Sequence, residues 1–374
     1  MISFRGSGGV EKLYLKLIPQ TTILASLTKN MSSKHHLAAV LHAKGERLNV
    51  ENIPTPTPGP DDILVEVKSI ALNPIDYVMR DFGFAVSSYP TVPGSDVAGT
   101  VISVGSNVPG STPKPGSRVF GFAPGFFKNS KVEYGGFQTR VVLPATNVTP
   151  MSSGMSFNEA TLLPMSVLTA WSGFYSIGIG RNTKLSSSDK QGFLVWGGAA
   201  SIGTSAIQIA NMMGFAVYAM ASEQHHSYLK SLGAMKCFDY KAPDALELVV
   251  KSARADGLAL NSGFDAIGQV HNCAEILKQT ANGAPKLATA KRIDPLAPKA
   301  DGIEVNFIKA PEDPKEQTEH FSFVFNHWLK EKLEKKEFTP SPKIHVVDGG
   351  LQSINSALDE LKKGVSGVKL VLEV

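Results

Sequence analysis

At 374 residues, with 43% hydrophobic and 19% charged positions, the chain has the balance of an ordinary globular protein and the length for two cores. Its net charge of +4 is small and its lysines and arginines are scattered, which argues against a nucleic-acid face; Glu331 and Glu334 offset even the dense stretch from Lys330 to Lys336. Two cysteines, Cys237 and Cys273, exclude a disulfide framework and a four-cysteine zinc lobe, and read as reduced thiols with a single bridge as the alternative.

Residues 1–30 carry Arg5, Lys12, Lys16 and Lys29 against Glu11, the balance of a mitochondrial presequence. Pro19 interrupts their best helical stretch, and Met31 offers a second start, so an over-extended N-terminus is the competing reading. Either way the segment is set apart from the fold. The expected compartment is the cytoplasm, or the mitochondrion if the presequence is real. No apolar run is long enough to cross a bilayer.

From Ala38 to about Pro144 the chain reads as β-structure. A proline-rich, extended lead-in covers 54–60, and short strands are expected at 63–67, 97–104, 117–122 and 137–143, separated by Gly and Pro. That spacing suggests a small barrel or sandwich. His35 and His36, at its start, are expected to face solvent. After about Asn158 the period changes. Apolar runs at 193–196, 216–221, 264–267 and 286–290 alternate with helical spacing, at 202–213 and through Leu229 and Leu232 to Gly233, the pattern of parallel βαβ units. Helices near 321–333 and 354–361 and a strand at 368–374 close the chain.

The most informative stretch runs from Val195 through Gly197, Gly198, Ala199, Ala200, Ser201 and Ile202 to Gly203, after a strand and into a helix. A helix N-terminus leaves backbone N–H groups unpaired and carries partial positive charge, so it attracts a pyrophosphate. Gly198, Ala200 and Gly203 occupy the dinucleotide fingerprint positions, where small residues admit the phosphates and let helix and sheet pack closely. About twenty residues on, where an acid would hold the ribose of NAD, stand Met220, Ala221 and Ser222. Ser222, Gln224, His225 and Tyr228 are neutral groups suited to a 2′-phosphate, and Tyr240 is placed to stack on adenine. Glu223 argues the other way. The reading is NADPH, with NADH as the alternative.

These segments, together with Ala71-Leu72-Asn73-Pro74-Ile75-Asp76, Pro93-Gly94-Ser95-Asp96-Val97-Ala98-Gly99, Lys114-Pro115-Gly116-Ser117-Arg118-Val119 and Gly364-Val365-Ser366-Gly367-Val368-Lys369-Leu370-Val371, resemble the medium-chain dehydrogenase/reductase superfamily. The branch resembled is the zinc-free one of quinone oxidoreductases and enoyl reductases, including the fungal trans-acting enoyl reductases of polyketide pathways. The resemblance runs from about Leu37 to the end. It implies an α/β plus β architecture: a GroES-like β-barrel catalytic domain from residues 31–160 and 310–374, with a Rossmann domain, a doubly wound parallel sheet, inserted as residues 161–309. The active site would be the cleft between them.

Zinc-dependent relatives place Cys where Asn73 stands and His-Glu where Ser95-Asp96 stands; Asn and Ser are poor zinc ligands, so no metal is expected. The chemistry left is hydride transfer to a quinone or an α,β-unsaturated carbonyl, with the protein supplying orientation. The resemblance puts Asn73, Asp76 and Thr169 near the nicotinamide and makes Leu287, Val365 and Ser366 cofactor contacts. Tyr77 reads as a proton donor or as an apolar wall. Two lysines common in the enoyl reductases are replaced, by Val78 and by Gln224. Three functions therefore compete: an NADPH-dependent quinone or enone reductase, a trans-acting enoyl reductase with a carrier-protein or megasynthase partner, and a non-catalytic NADPH-binding sensor or scaffold. A homodimer is left open.

Overall fold

The computed structural model describes residues 34–110, 113–292 and 301–374, so the expectations for residues 1–30 lie outside the described residues. Strands β1 (His35–Val40) and β2 (Asn49–Pro54) form an antiparallel pair. Strand β3 (Asp62–Ala71) is buried along almost its whole length, as a strand covered on both faces must be. Helix α1 (Pro74–Phe82) then leads to β4 (Asp96–Val104), which pairs antiparallel with β3. Next come β5 (Arg118–Phe122) on β4, β6 (Arg140–Pro144) on the first half of β3, and β7 (Val148–Pro150) on β5.

Helix α2 (Pro164–Ser176) opens the α/β part. Strands β8 (Gln191–Trp196), β9 (Ala216–Met220), β10 (Ala234–Phe238), β11 (Ala259–Asp265), β12 (Lys286–Thr289) and β13 (Glu304–Phe307) form one parallel sheet in the order β10-β9-β8-β11-β12-β13. The crossovers include α3 (Ser201–Met212), α4 (His226–Ser231), α5 (Ala245–Asp256) and α6 (Val270–Thr280). Strand order reverses between β8 and β11, the switch point of a doubly wound sheet, where ligands of such folds bind. This is the parallel sheet expected from the βαβ pattern.

After β13 the chain runs through α7 (Pro314–Ser322), a π-helical stretch (Phe323–Trp328), α8 (Leu329–Glu334), β14 (Lys343–Val346), α9 (Ile354–Lys363) and β15 (Val368–Glu373). Strand β15 returns to the first sheet, antiparallel to the end of β3 and parallel to β14. Among the described residues no helix is long and apolar enough to cross a membrane.

Three local expectations need correction. The helix placed at 321–333 begins at Pro314, where Asp313 caps it by accepting from the Lys315 and Glu316 amides; its polar first turns gave no apolar period. The strand placed at 264–267 begins at Ala259, its alternation masked by Asn261 and Ser262. His36 is buried, not solvent-facing, with its ring hydrogen-bonded at 2.8 Å to Gln138 Oε1. Both cysteines are free, and burial pushes the Cys237 thiol up to about 11.

The largest apolar cluster joins the two sheets: Phe120 and Phe122 of β5 pack with Val167 and Trp171 of α2 and with Phe321 and Phe325. Beside it, His320 is buried between the Ser172 hydroxyl (3.2 Å) and the Arg181 guanidinium (3.1 Å). Burial, then the Arg181 charge, lower its pKa from 6.5 to about 4. The unfolded chain therefore binds a proton that the folded chain refuses, and stability falls as pH drops from 6.5 toward 4. At most about 3 kcal/mol is lost this way. In urea titrations at pH 7 and pH 5, the wild type is expected to lose more stability than His320→Gln, which carries no titrating ring; equal losses would remove His320 from the account.

Candidate active site

The loop after β8 is shaped by backbone crowding. Gly197 has φ 76°, and the Gly197 and Gly198 amides both donate to the Met220 carbonyl (3.1 and 3.0 Å), tying the loop to the end of β9. A Cβ on Gly203 would lie 2.2 Å from the Gly197 carbonyl oxygen, so only glycine fits there. At Gly198 the nearest atoms are side-chain carbons of Leu229, Ala219 and Ile207 at 3.1–3.2 Å, a looser limit. Helix α3 starts at Ser201 behind an extended Ala200, and no side chain caps its amides. The Ser201 hydroxyl is buried without a hydrogen-bond partner among the described residues, while Ile202 stays partly exposed. Free amides, an orphan hydroxyl and a helix start held close against the loop by Gly203 fit a pyrophosphate.

Beyond β9 the turn Glu223–His225 carries the second group of expected residues. The Ser222 hydroxyl donates to Tyr240 Oη (3.3 Å), and Gln224 Nε2 lies 3.2 Å from His225 Nε2. His225 Nε2 is also hydrogen-bonded to the Ser366 hydroxyl at 2.9 Å, which brings the tail onto the edge of the parallel sheet. Gly367, at φ 66°, leaves room for the imidazole: a Cβ there would lie 2.4 Å from His225 Cε1. Burial, then the charges of Lys343 and His226, lower the His225 pKa, so the ring is neutral near pH 7. His226 points elsewhere and bonds the Ala221 carbonyl at 2.9 Å. Tyr228 is half-buried against the core and Tyr240 stands exposed at the rim.

At the base of the antiparallel sheet lies a buried polar cluster. Asp96, wholly buried, accepts from Lys369 Nζ (2.5 Å) and Asn73 Nδ2 (2.9 Å) on one oxygen and from the Met165 amide (2.6 Å) on the other. Asp76 accepts from the Asn73 amide (2.7 Å), and its second oxygen is buried without a partner among the described residues. Burial above all, with the Asp96 charge adding, raises the Asp76 pKa to about 8, so the group is largely protonated at neutral pH. Beside the cluster runs an aromatic wall. Phe122 is the ladder partner of Asp96, and the loop leaving it carries Phe126 and Phe127, whose rings lie 4.5 Å apart against Phe122 and Phe321.

Comparison with known proteins fits this geometry. Residues 59–153 match the family described as alcohol dehydrogenase GroES-like domain. The chain is 40% identical over 343 residues to the trans-enoyl reductase tndF of Aspergillus flavipes, covering 91% of this chain and 99% of that one. It is also 40% identical to the trans-enoyl reductase tazE of Aspergillus terreus, over 73% of this chain and 91% of the other. The chain belongs to the medium-chain dehydrogenase/reductase superfamily, in its enoyl reductase branch. The quinone oxidoreductase of Coxiella burnetii shares the fold, with a TM-score of 0.66 at 23% identity over 91% of this chain and 100% of that one. A GroES-like domain and a Rossmann-type parallel sheet make up the architecture, and the chain is an oxidoreductase of the enoyl reductase type.

Within this reductase the expected residues fall into two groups. Gly198, Ala200, Ser201, Ile202, Gly203, Ser222, Gln224 and His225 line the ends of β8 and β9, where Ser366 joins them through His225. Asn73 and Asp76 meet in the polar cluster. Thr169 is half-buried on α2, and Tyr77 packs against the antiparallel-sheet core, as does Val365. The Leu287 side chain is wholly buried beneath the parallel sheet, so a ligand would meet its backbone alone. The residues at the relatives' zinc positions do not fit a metal: Asn73 offers an amide, Ser95 a hydroxyl, and Asp96 is already neutralised by Lys369. Among the described residues no three His, Cys, Asp or Glu side chains converge on one point. Sequence reasoning missed Lys369, whose partner lies 273 positions away, and the Phe126–Phe127 wall.

Proposed function

We propose that this reductase uses NADPH to reduce the carbon–carbon double bond of an α,β-unsaturated acyl thioester presented by a carrier protein of a megasynthase, without a metal. The 40% identity to trans-enoyl reductases over nearly the full length carries the reading. NADPH, when bound, would supply a hydride to the substrate β-carbon and leave as NADP+, with the α-carbon taking a proton from solvent to give the saturated thioester. The chain's residues hold and orient. The loop from Gly198 to Gly203 takes the pyrophosphate on the α3 amides, and the Ser201 hydroxyl finds its partner there. Ser222, Gln224, His225 and Ser366 surround the 2′-phosphate, with Tyr240 beside the adenine. Asn73, held by Asp96, and Thr169 face the nicotinamide end, while Phe126 and Phe127 give the acyl chain an apolar wall that excludes water. Tyr77 belongs to the core edge, and we assign it as wall. The division into a catalytic part (31–160 and 310–374) and a nucleotide-binding part (161–309) is supported by the two sheets.

A conjugated thioester needs little electrophilic help, because the developing charge spreads onto its carbonyl; orientation then dominates the rate. The test is NADPH consumption, with NADH in parallel, against a crotonyl thioester, the same acyl group on a carrier protein, and small quinones. Turnover is expected with NADPH on the thioesters, faster on the tethered one. Consumption with quinones alone would overturn the enoyl assignment. Nucleotide binding with no turnover on any of the three would favour the sensor reading.

A further inference from the structure

The groups around His225 leave a charge problem. A 2′-phosphate carries close to two negative charges at neutral pH. Ser222, Gln224, Tyr240 and a neutral His225 offer hydrogen bonds and no cation, and the turn that holds them contains an acid, Glu223. A dianion is bound more strongly where a cationic donor joins the neutral ones.

The cation comes from the far end of the chain. Strand β14 begins at Lys343, whose amide donates to the Gly367 carbonyl (3.3 Å) and whose ladder partner is Val368. Gly367 is the residue on which the His225 imidazole rests, and Ser366 bonds that same ring. The Lys343 backbone is thus one residue contact from the pocket. Its ammonium is exposed, makes no ion pair or side-chain hydrogen bond among the described residues, and acts electrostatically on His225. We propose that Lys343, together with Ser366, closes the 2′-phosphate pocket from the antiparallel sheet and sets the preference for NADPH over NADH. This rests on the NADPH reading. The competing cation is Lys241, whose ammonium lies 5.9 Å from the Tyr240 ring.

The assignment has a binding test that needs no turnover. Adenosine 2′,5′-bisphosphate and adenosine 5′-phosphate are titrated calorimetrically into the full chain and into Lys343→Met, Lys343→Arg and Lys241→Met. Removing the Lys343 charge is expected to weaken the bisphosphate about tenfold or more, leave the monophosphate unchanged, and flatten the salt dependence. Lys343→Arg is expected to keep the preference. A preference that survives in Lys343→Met, or one lost only in Lys241→Met, overturns the assignment while leaving the NADPH reading intact. A wild-type chain that does not distinguish the two probes overturns that reading and the assignment with it.

Discussion

Replacing Gly203 with alanine is expected to weaken NADPH binding at least tenfold, about 1.4 kcal/mol. The added methyl carbon would sit 2.2 Å from the Gly197 carbonyl oxygen and 3.1 Å from Gly198 Cα, both backbone atoms that cannot rotate away. Either α3 retreats from the sheet or the Gly197–Ala200 loop shifts, and both moves displace the amides proposed to meet the pyrophosphate. Overpacking of this kind costs about 1–3 kcal/mol. Gly198→Ala is the control, since its contacts are side-chain carbons that can give way, and a smaller effect is expected there. Titration of NADPH into both variants, with melting curves to establish folding, decides the matter. Unchanged affinity in a folded Gly203→Ala protein would remove the loop as the nucleotide site.

Lys369→Met is expected to be the most destabilising single change in the polar cluster. Asp96 is wholly buried, and Lys369, 2% exposed, is its sole cationic partner among the described residues. Without the ammonium, a carboxylate stays in the core with only the Asn73 amide and the Met165 N–H, and such loss costs about 3–5 kcal/mol. The double variant Lys369→Met with Asp96→Asn removes both charges and is expected to regain most of that stability. Urea unfolding of Lys369→Met, of Asp96→Asn alone and of the double variant gives the cycle. If Lys369→Met melts like the wild type, the ion pair does not stabilise the buried Asp96 carboxylate.

The strand, loop and helix start from Val195 to Gly203 were legible because they are local, lying within about a dozen positions. The strands at 97–104 and 117–122 were legible for the same reason, each closely matching β4 and β5. What could not be read is what the fold brings together from afar. Nothing near Asp96 announces Lys369, and in sequence Lys369 looks like one more solvated lysine in a strand. His36 looked like a frayed-end residue until Gln138 met it. The return of the tail came only from the family resemblance, since a six-residue strand carries no mark of the sheet it joins. The helix at Pro314–Ser322 was hidden by its own polarity, because its start is set by the Asp313 cap and not by an apolar period.

The pairing of β15 with β3 has a consequence for how the protein is made. Ala71 and Val371 are ladder partners, so the first sheet cannot be completed until residues about 300 positions later have left the ribosome. At roughly 5–20 residues per second, β3 waits about 15–60 s with half of one edge unpaired. The parallel sheet closes on strands made consecutively and has no such delay. During synthesis the order is therefore inverted: the inserted part matures first, and the flanking part, begun earlier, finishes last. Over that interval the open edge of β3 is a site where a chaperone, or a second nascent chain, can bind.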